Sequence, residues 1–274
     1  MPLTESSPTS EIDTHKWRNC DLVDELAILN VTPISAFMNK VVEPWLDTLN
    51  AEEEGRKADL SSSDYLRHWN LHQTREIRQI SLQNFCLSID GMFERELRAW
   101  LKSALYQLLS ADSKRDESGW LKVIRTGDLD KLSGLLQEHR KIGLSAFPAY
   151  PVLRLMKTVA NICRHGEGRS VAELSQYYPH FWSLCTVANK PSTGWVSDDQ
   201  ALYSSLILPA KILSDFFDAV KQFWTDVRYI FLNSGGGSLP RDKRNQELDD
   251  LRKMRWAYAR KIAGDPIFKR SVVV

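Results

Sequence analysis

Apolar side chains return at three- and four-residue steps through most of the chain, the repeat of helices that each bury one face. The longest such run extends from Tyr65 to Leu109, without proline and with Gly91 as its only breaker, behind a helix-starting Ser61-Ser62-Ser63-Asp64. Leu66, Trp69, Ile77, Ile80, Phe85, Ile89, Met92, Phe93, Leu97, Trp100, Ala104 and Leu108 read as its packing stripe, with Arg and Glu filling the other side. Upstream, Thr14 is expected to cap a helix to about Leu29, and a second helix follows Pro33 until Pro44 kinks or ends it. Downstream, Asp128 heads a helix to about Ile142. From Pro151 to His165, Val152, Leu155, Met156, Val159, Ile162 and Cys163 make an apolar face opposite Arg154, Lys157, Thr158, Asn161, Arg164 and His165, with Gly166 as C-cap. A short helix, VAELSQYY, follows Ser170, short strands are expected at 180–187 and 202–208, and Pro209 opens a helix to about Leu232.

The fold class is therefore mainly α. The first thirteen residues, rich in Ser, Thr, Pro and Glu, read as a flexible tail. Residues 14–232 form the helical domain, 233–238 a glycine linker, and 239–274 a basic C-terminal helix with its tail. That last helix carries Arg241, Lys243, Arg244, Arg252, Lys253, Arg255, Arg260 and Lys261, interrupted by Glu247, Asp249 and Asp250. Two readings stay open for it: contact with nucleic acid, helped by Trp256 and Tyr258, or docking on a partner protein.

Composition narrows the classes further. Thirty-six Lys and Arg stand against 35 Asp and Glu, so nucleic acid could be recruited only by a local patch. No stretch approaches the roughly 20 apolar residues of a membrane span, and no secretory signal is evident, so a cytoplasmic protein with no membrane contact is expected. Cys20, Cys86, Cys163 and Cys185 lack the close spacing of zinc or redox sites and read as reduced, mostly buried thiols. No phosphate loop, dinucleotide fingerprint, His-Glu-x-x-His or serine elbow occurs, and neither metal nor cofactor is expected.

The segment Ala160-Asn161-Ile162-Cys163-Arg164-His165-Gly166-Glu167-Gly168-Arg169-Ser170 resembles the HEPN superfamily of helical, ribonuclease-like domains. Its signature is an arginine, a polar residue, three further residues and a histidine. Asn161 and His165 match the last two, while Ala160 stands where the arginine belongs, and the resemblance spans roughly residues 60 to 230. It implies a bundle with long antiparallel helices, a homodimer, and metal-independent endoribonuclease action in bacterial anti-phage defence or toxin-antitoxin conflict. The Asn, three residues, His, Gly, acid, Gly pattern is similar to a bacterial branch associated with such genes.

In that reading His165 is the acid/base, Asn161 the orienter, and Arg164 or Arg169 the phosphate ligand in place of the missing arginine. Arg169, Lys157 and Arg154 contact RNA. An imidazole can take a 2'-hydroxyl proton, and a fixed guanidinium can stabilise charge developing on phosphate. The alternative is an inert helical subunit that binds a partner protein or RNA within a defence complex. Arg164 and His165 before a capping glycine also suit the negative end of a helix dipole, and Asn161 suits a loop hydrogen bond. Arg67-His68-Trp69-Asn70-Leu71-His72 repeats the signature with its arginine present, making Arg67 and His72 a second candidate pair, or simply a solvated helix face.

Overall fold

The computed structural model describes residues 10–17, 20, 22–58, 65–111, 117–166, 168–182 and 206–268. They are mainly α-helical, as the periodicity predicts: α1 Glu11–Thr14, α2 Leu22–Leu26, α3 Val31–Phe37, α4 Glu43–Ala58, α5 Tyr65–Ala111, α6 Glu117–Thr126, α7 Leu129–Arg140, α8 Tyr150–His165, α9 Arg169–Tyr177, α10 Lys211–Asn233 and α11 Arg241–Gly264. No strand occurs among the described residues. Of the expected strand segments, 183–205 lies outside them, and an isolated antiparallel bridge joins Trp182 to Leu206.

Local chemistry shifts several predicted boundaries. Ser10, not Thr14, opens the first helix, its backbone N–H donating to the Asp13 carboxylate at 3.0 Å in a capping box. Pro44 does not end the helix, which continues as α4. A π turn at Met38–Val42 precedes it, and the wider turn admits a ring that would clash with the carbonyl four residues back in a regular helix.

The chain divides into two compact units. The first comprises Met1–Val31, Phe93–Arg154 and Asp218–Phe268, and the second Thr32–Met92, Leu155–Phe217 and Lys269–Val274. In the first unit, Phe93 and Trp100 of α5 meet Phe223 and Trp224 of α10 edge to face at 5.5 to 6.5 Å, and Phe147 closes on Phe223 at 4.8 Å. Within this aromatic core Asp24 is fully buried. It accepts hydrogen bonds from Trp100 Nε1 at 3.1 Å and from Arg140 Nη2 at 2.8 and 2.9 Å, while Arg140 stacks 4.7 Å from the Trp17 ring.

The glycine stretch after α10 is a turn folded against Phe231 rather than an open linker. Gly235 and Gly237 have φ of 84° and 80°, and a Cβ on Gly236 would fall 2.4 Å from the Phe231 ring. α11 then returns along α10. Arg255 reaches Asp226 and Asp13 at 2.6 Å each and lies 4.1 Å from the Tyr229 ring, while Arg252 donates to the Tyr229 hydroxyl at 2.9 Å. Asp13 belongs to the stretch expected to be a flexible tail, yet the Ser10 cap and the fully buried Ile12 hold its helix in place.

In the second unit, α4 packs on the first half of α5. Glu53 collects Arg75 at 3.0 Å, Lys57 at 3.1 Å and Arg78 at 3.8 Å, and Phe37 meets Phe85 edge on at 5.9 Å. Gln79 pairs with the backbone of Leu208, accepting from its N–H at 2.8 Å and donating to its carbonyl at 3.3 Å. α5 buries Leu71, Thr74, Leu82, Cys86 and Ile89. Leu66, Trp69, Ile77 and Ile80, expected on the packing stripe, instead face outward with 49 to 68% of their surface exposed.

The Arg255 clamp generates a pH prediction. Burial pushes the Asp226 carboxyl up to about 6 against the pull of Arg255, and among the described residues its Oδ2 has no hydrogen-bond donor. A carboxyl whose folded pKa is raised contributes stability that is present below its unfolded value of about 4 and lost as pH rises through the folded one. Urea denaturation at several pH values is expected to show wild-type stability declining from pH 4 to 6 relative to Asp226→Asn. Parallel profiles for the two proteins contradict the assignment.

Candidate functional site

α8 forms because Pro151 sits in its first turn and the apolar positions behind it fall on one side; Val152, Leu155, Met156, Val159, Ala160 and Ile162 are all buried. It stops at Gly166, whose φ of 73° is left-handed and whose N–H donates to the Ile162 carbonyl at 2.7 Å, the cap the sequence predicts. On the outer side Asn161 is half-buried, and Arg164 and His165 are exposed.

The organising residue is Asp90 of α5, which sequence reasoning missed. It is 2% exposed, and its Oδ2 accepts from Lys157 Nζ at 3.2 Å and from Arg164 Nη2 at 3.4 Å. Arg164 Nη1 also donates to Asn161 Oδ1 at 3.4 Å, so its guanidinium is held between a carboxylate and an amide with one edge toward solvent. The signal was present in the sequence: an acid inside the apolar run between Ile89 and Met92 needs a cation from a facing helix.

Asn161, Arg164 and His165 thus share one helix end, and Lys157 joins them through Asp90. Among the described residues no hydrogen bond holds the His165 ring, and the Asn161 amide oxygen accepts from Arg164. Arg169 is exposed at the first position of α9, behind Gly168 with φ of 95°. Glu167 lies outside the described residues. Arg154 stands on α8 three residues before Lys157, in the stretch that falls to the first compact unit.

The second signature match stands apart. Arg67 and His72 are exposed on α5, with His72 Nδ1 3.7 Å from Glu76 and its ring stacked 6.2 Å from Trp69. His72 precedes Asp90 by eighteen residues of continuous helix, about 27 Å at the helical rise. The two matches cannot form one site within a copy.

Other candidate chemistry recedes. Burial pushes the Cys163 thiol up to about 12 and the Cys86 thiol well above its ordinary value, so neither supplies a thiolate near neutral pH. No cluster of three or more His, Cys, Asp or Glu fit for a metal ion occurs among the described residues, and no described helix is long and apolar enough to cross a membrane. On α11, Tyr258 and Arg255 are buried and Trp256 is half-buried, so the aromatic platform one reading required is turned inward.

Ala160 is fully buried on the core face of α8. An arginine side chain there points into packed apolar residues, so the signature is not restored by one substitution. Ala160→Arg is expected to lower stability by about 3 kcal/mol or more through overpacking and an unpaired buried charge. Urea denaturation measures it, and a change within experimental error contradicts the burial argument. Compared with known proteins, the chain finds no matching family model, curated protein or solved structure.

Proposed function

We propose that this chain is an RNA-binding helical subunit that holds RNA at the end of α8 without cutting it. The observation that carries the reading is the pairing of Arg164 with Asp90 and Asn161, which presents a fixed guanidinium edge beside His165 and Arg169. A planar guanidinium held in place suits a phosphate oxygen pair, and Arg169 extends the binding along a backbone. Cleavage asks for more: a second cation at the reacting phosphate and a positioned partner for the histidine. The position that the HEPN-like signature gives to that cation is the buried Ala160.

A second reading has one observation in its favour. His165 is exposed directly after Arg164, which sets a candidate base next to a candidate phosphate ligand for metal-independent cleavage of RNA. In that reading the chain is an endoribonuclease or toxin-like effector of bacterial defence, acting in the cytoplasm.

RNA cleavage in EDTA by wild type and His165→Ala, with binding measured across a salt series, separates the two. Salt-sensitive binding with no cleavage by either protein is the expected result. Replacing Arg164 and Arg169 with Gln should then flatten the salt slope on single-stranded RNA by about 0.7 for each phosphate that is no longer neutralised. Cleavage by wild type that His165→Ala abolishes establishes the second reading. No binding and no cleavage overturns both.

A further inference from the structure

On α10 and α11 each buried or half-buried arginine faces a carboxylate, with Arg244 as the exception. Arg228 meets Glu247 at 3.0 Å and Glu25 at 3.8 Å, Arg252 meets Asp249 at 3.0 Å, and Arg255 meets Asp226 at 2.6 Å. Arg244 is half-buried and pairs with no carboxylate among the described residues. Its Nη2 donates to the backbone carbonyls of Gly237 and Leu239 at 3.3 and 3.4 Å, and its Nε is buried without an acceptor. The carbonyls hold the guanidinium in place and leave its charge uncompensated.

Arg244 borders an open groove of about 380 Å³ between the end of α10, the glycine turn and the first two turns of α11. Arg241, Arg244, Asn245 and Leu248 line it from α11 at the i, i+3, i+4, i+7 spacing of one helix face, opposite Leu232 of α10. Arg241 and Asn245 are exposed, and neither side chain forms a hydrogen bond or ion pair among the described residues. The nearest acids turn elsewhere. Glu25 and Glu247 are taken by Arg228, and Asp242 projects about 100° around the helix from Arg241.

We propose that this groove binds a small phosphate monoester, the phosphate held between Arg241 and Arg244 and the organic group resting on Leu232 and Leu248. A phosphate monoester carries about −1.5 to −2 charge at pH 7, which two guanidinium groups balance, whereas a carboxylate balances one. Arg244 Nη1, the Arg241 fork and the Asn245 amide supply donors for its three oxygens. The volume sits at the small end of the roughly 300 to 1,000 Å³ of small-molecule sites, room for a phosphate on a compact body. A longer polyanion is disfavoured, because Asp249 and Asp250 follow on the same helix. The proposal is independent of the RNA reading, since no groove residue belongs to the α8 site.

An NMR titration observed on phenyl phosphate tests it, using the full chain with Arg164→Gln and Arg169→Gln so that the α8 cations take no part. Saturable binding is expected, displaced by inorganic phosphate and far weaker for benzoate. Adding Arg241→Gln should weaken it by about tenfold or more, the loss of one charged hydrogen bond, with an unchanged circular dichroism spectrum because Arg241 is exposed and unpaired. Arg244→Lys keeps the charge without the fork and should weaken it too. No binding at millimolar phenyl phosphate, equal affinity for benzoate, or binding that neither substitution changes overturns the proposal. Each of those results leaves RNA binding at α8, read on the wild type with RNA, where it stood.

Discussion

A carboxylate taken out of water needs a cation within reach, and this constraint fixes how the helices of each unit are assembled. Asp24, Asp90 and Asp226 are almost wholly buried, and each is met by a basic residue far away in sequence: Arg140, Lys157 with Arg164, and Arg255. Apolar packing supplies most of the favourable free energy but tolerates small slips of register. A buried ion pair does not, because a slip of one residue strands a charge. Arg255 goes further by joining α1, α10 and α11 at one point.

The helices themselves were legible in the sequence because their signals are local. Asp128 caps α7 by accepting from the Lys131 N–H at 2.9 Å, and Gly166 closes α8, both at positions the pattern names. Their partners were not legible. Nothing within a helical window says that Asp13 meets Arg255, or that a glycine run is a turn lying under Phe231. α5 misled for a different reason. Leu66 and Trp69 share a spacing with true core residues, and the periodicity of one helix cannot tell a buried face from an exposed one.

The candidate site was half legible. Spacing alone gathered Asn161, Arg164 and His165 on one helix end, but left out the residue that orients them. Asp90 changes the chemistry of the group, since a guanidinium and an ammonium sharing one carboxylate present less net charge and more fixed geometry than an open basic patch. Asn161 is tied to the same cluster, its amide oxygen accepting from Arg164.

The Asp13 to Arg255 pair spans 242 residues, which has a meaning during synthesis. At roughly 5 to 20 residues per second, the ribosome delivers the arginine about 12 to 48 s after the aspartate. Throughout that interval the nascent chain carries Asp13 without the cation that meets it. The first unit therefore closes only when translation has nearly passed α11, and its early segment is the part of the growing polypeptide that a holding chaperone has longest to find.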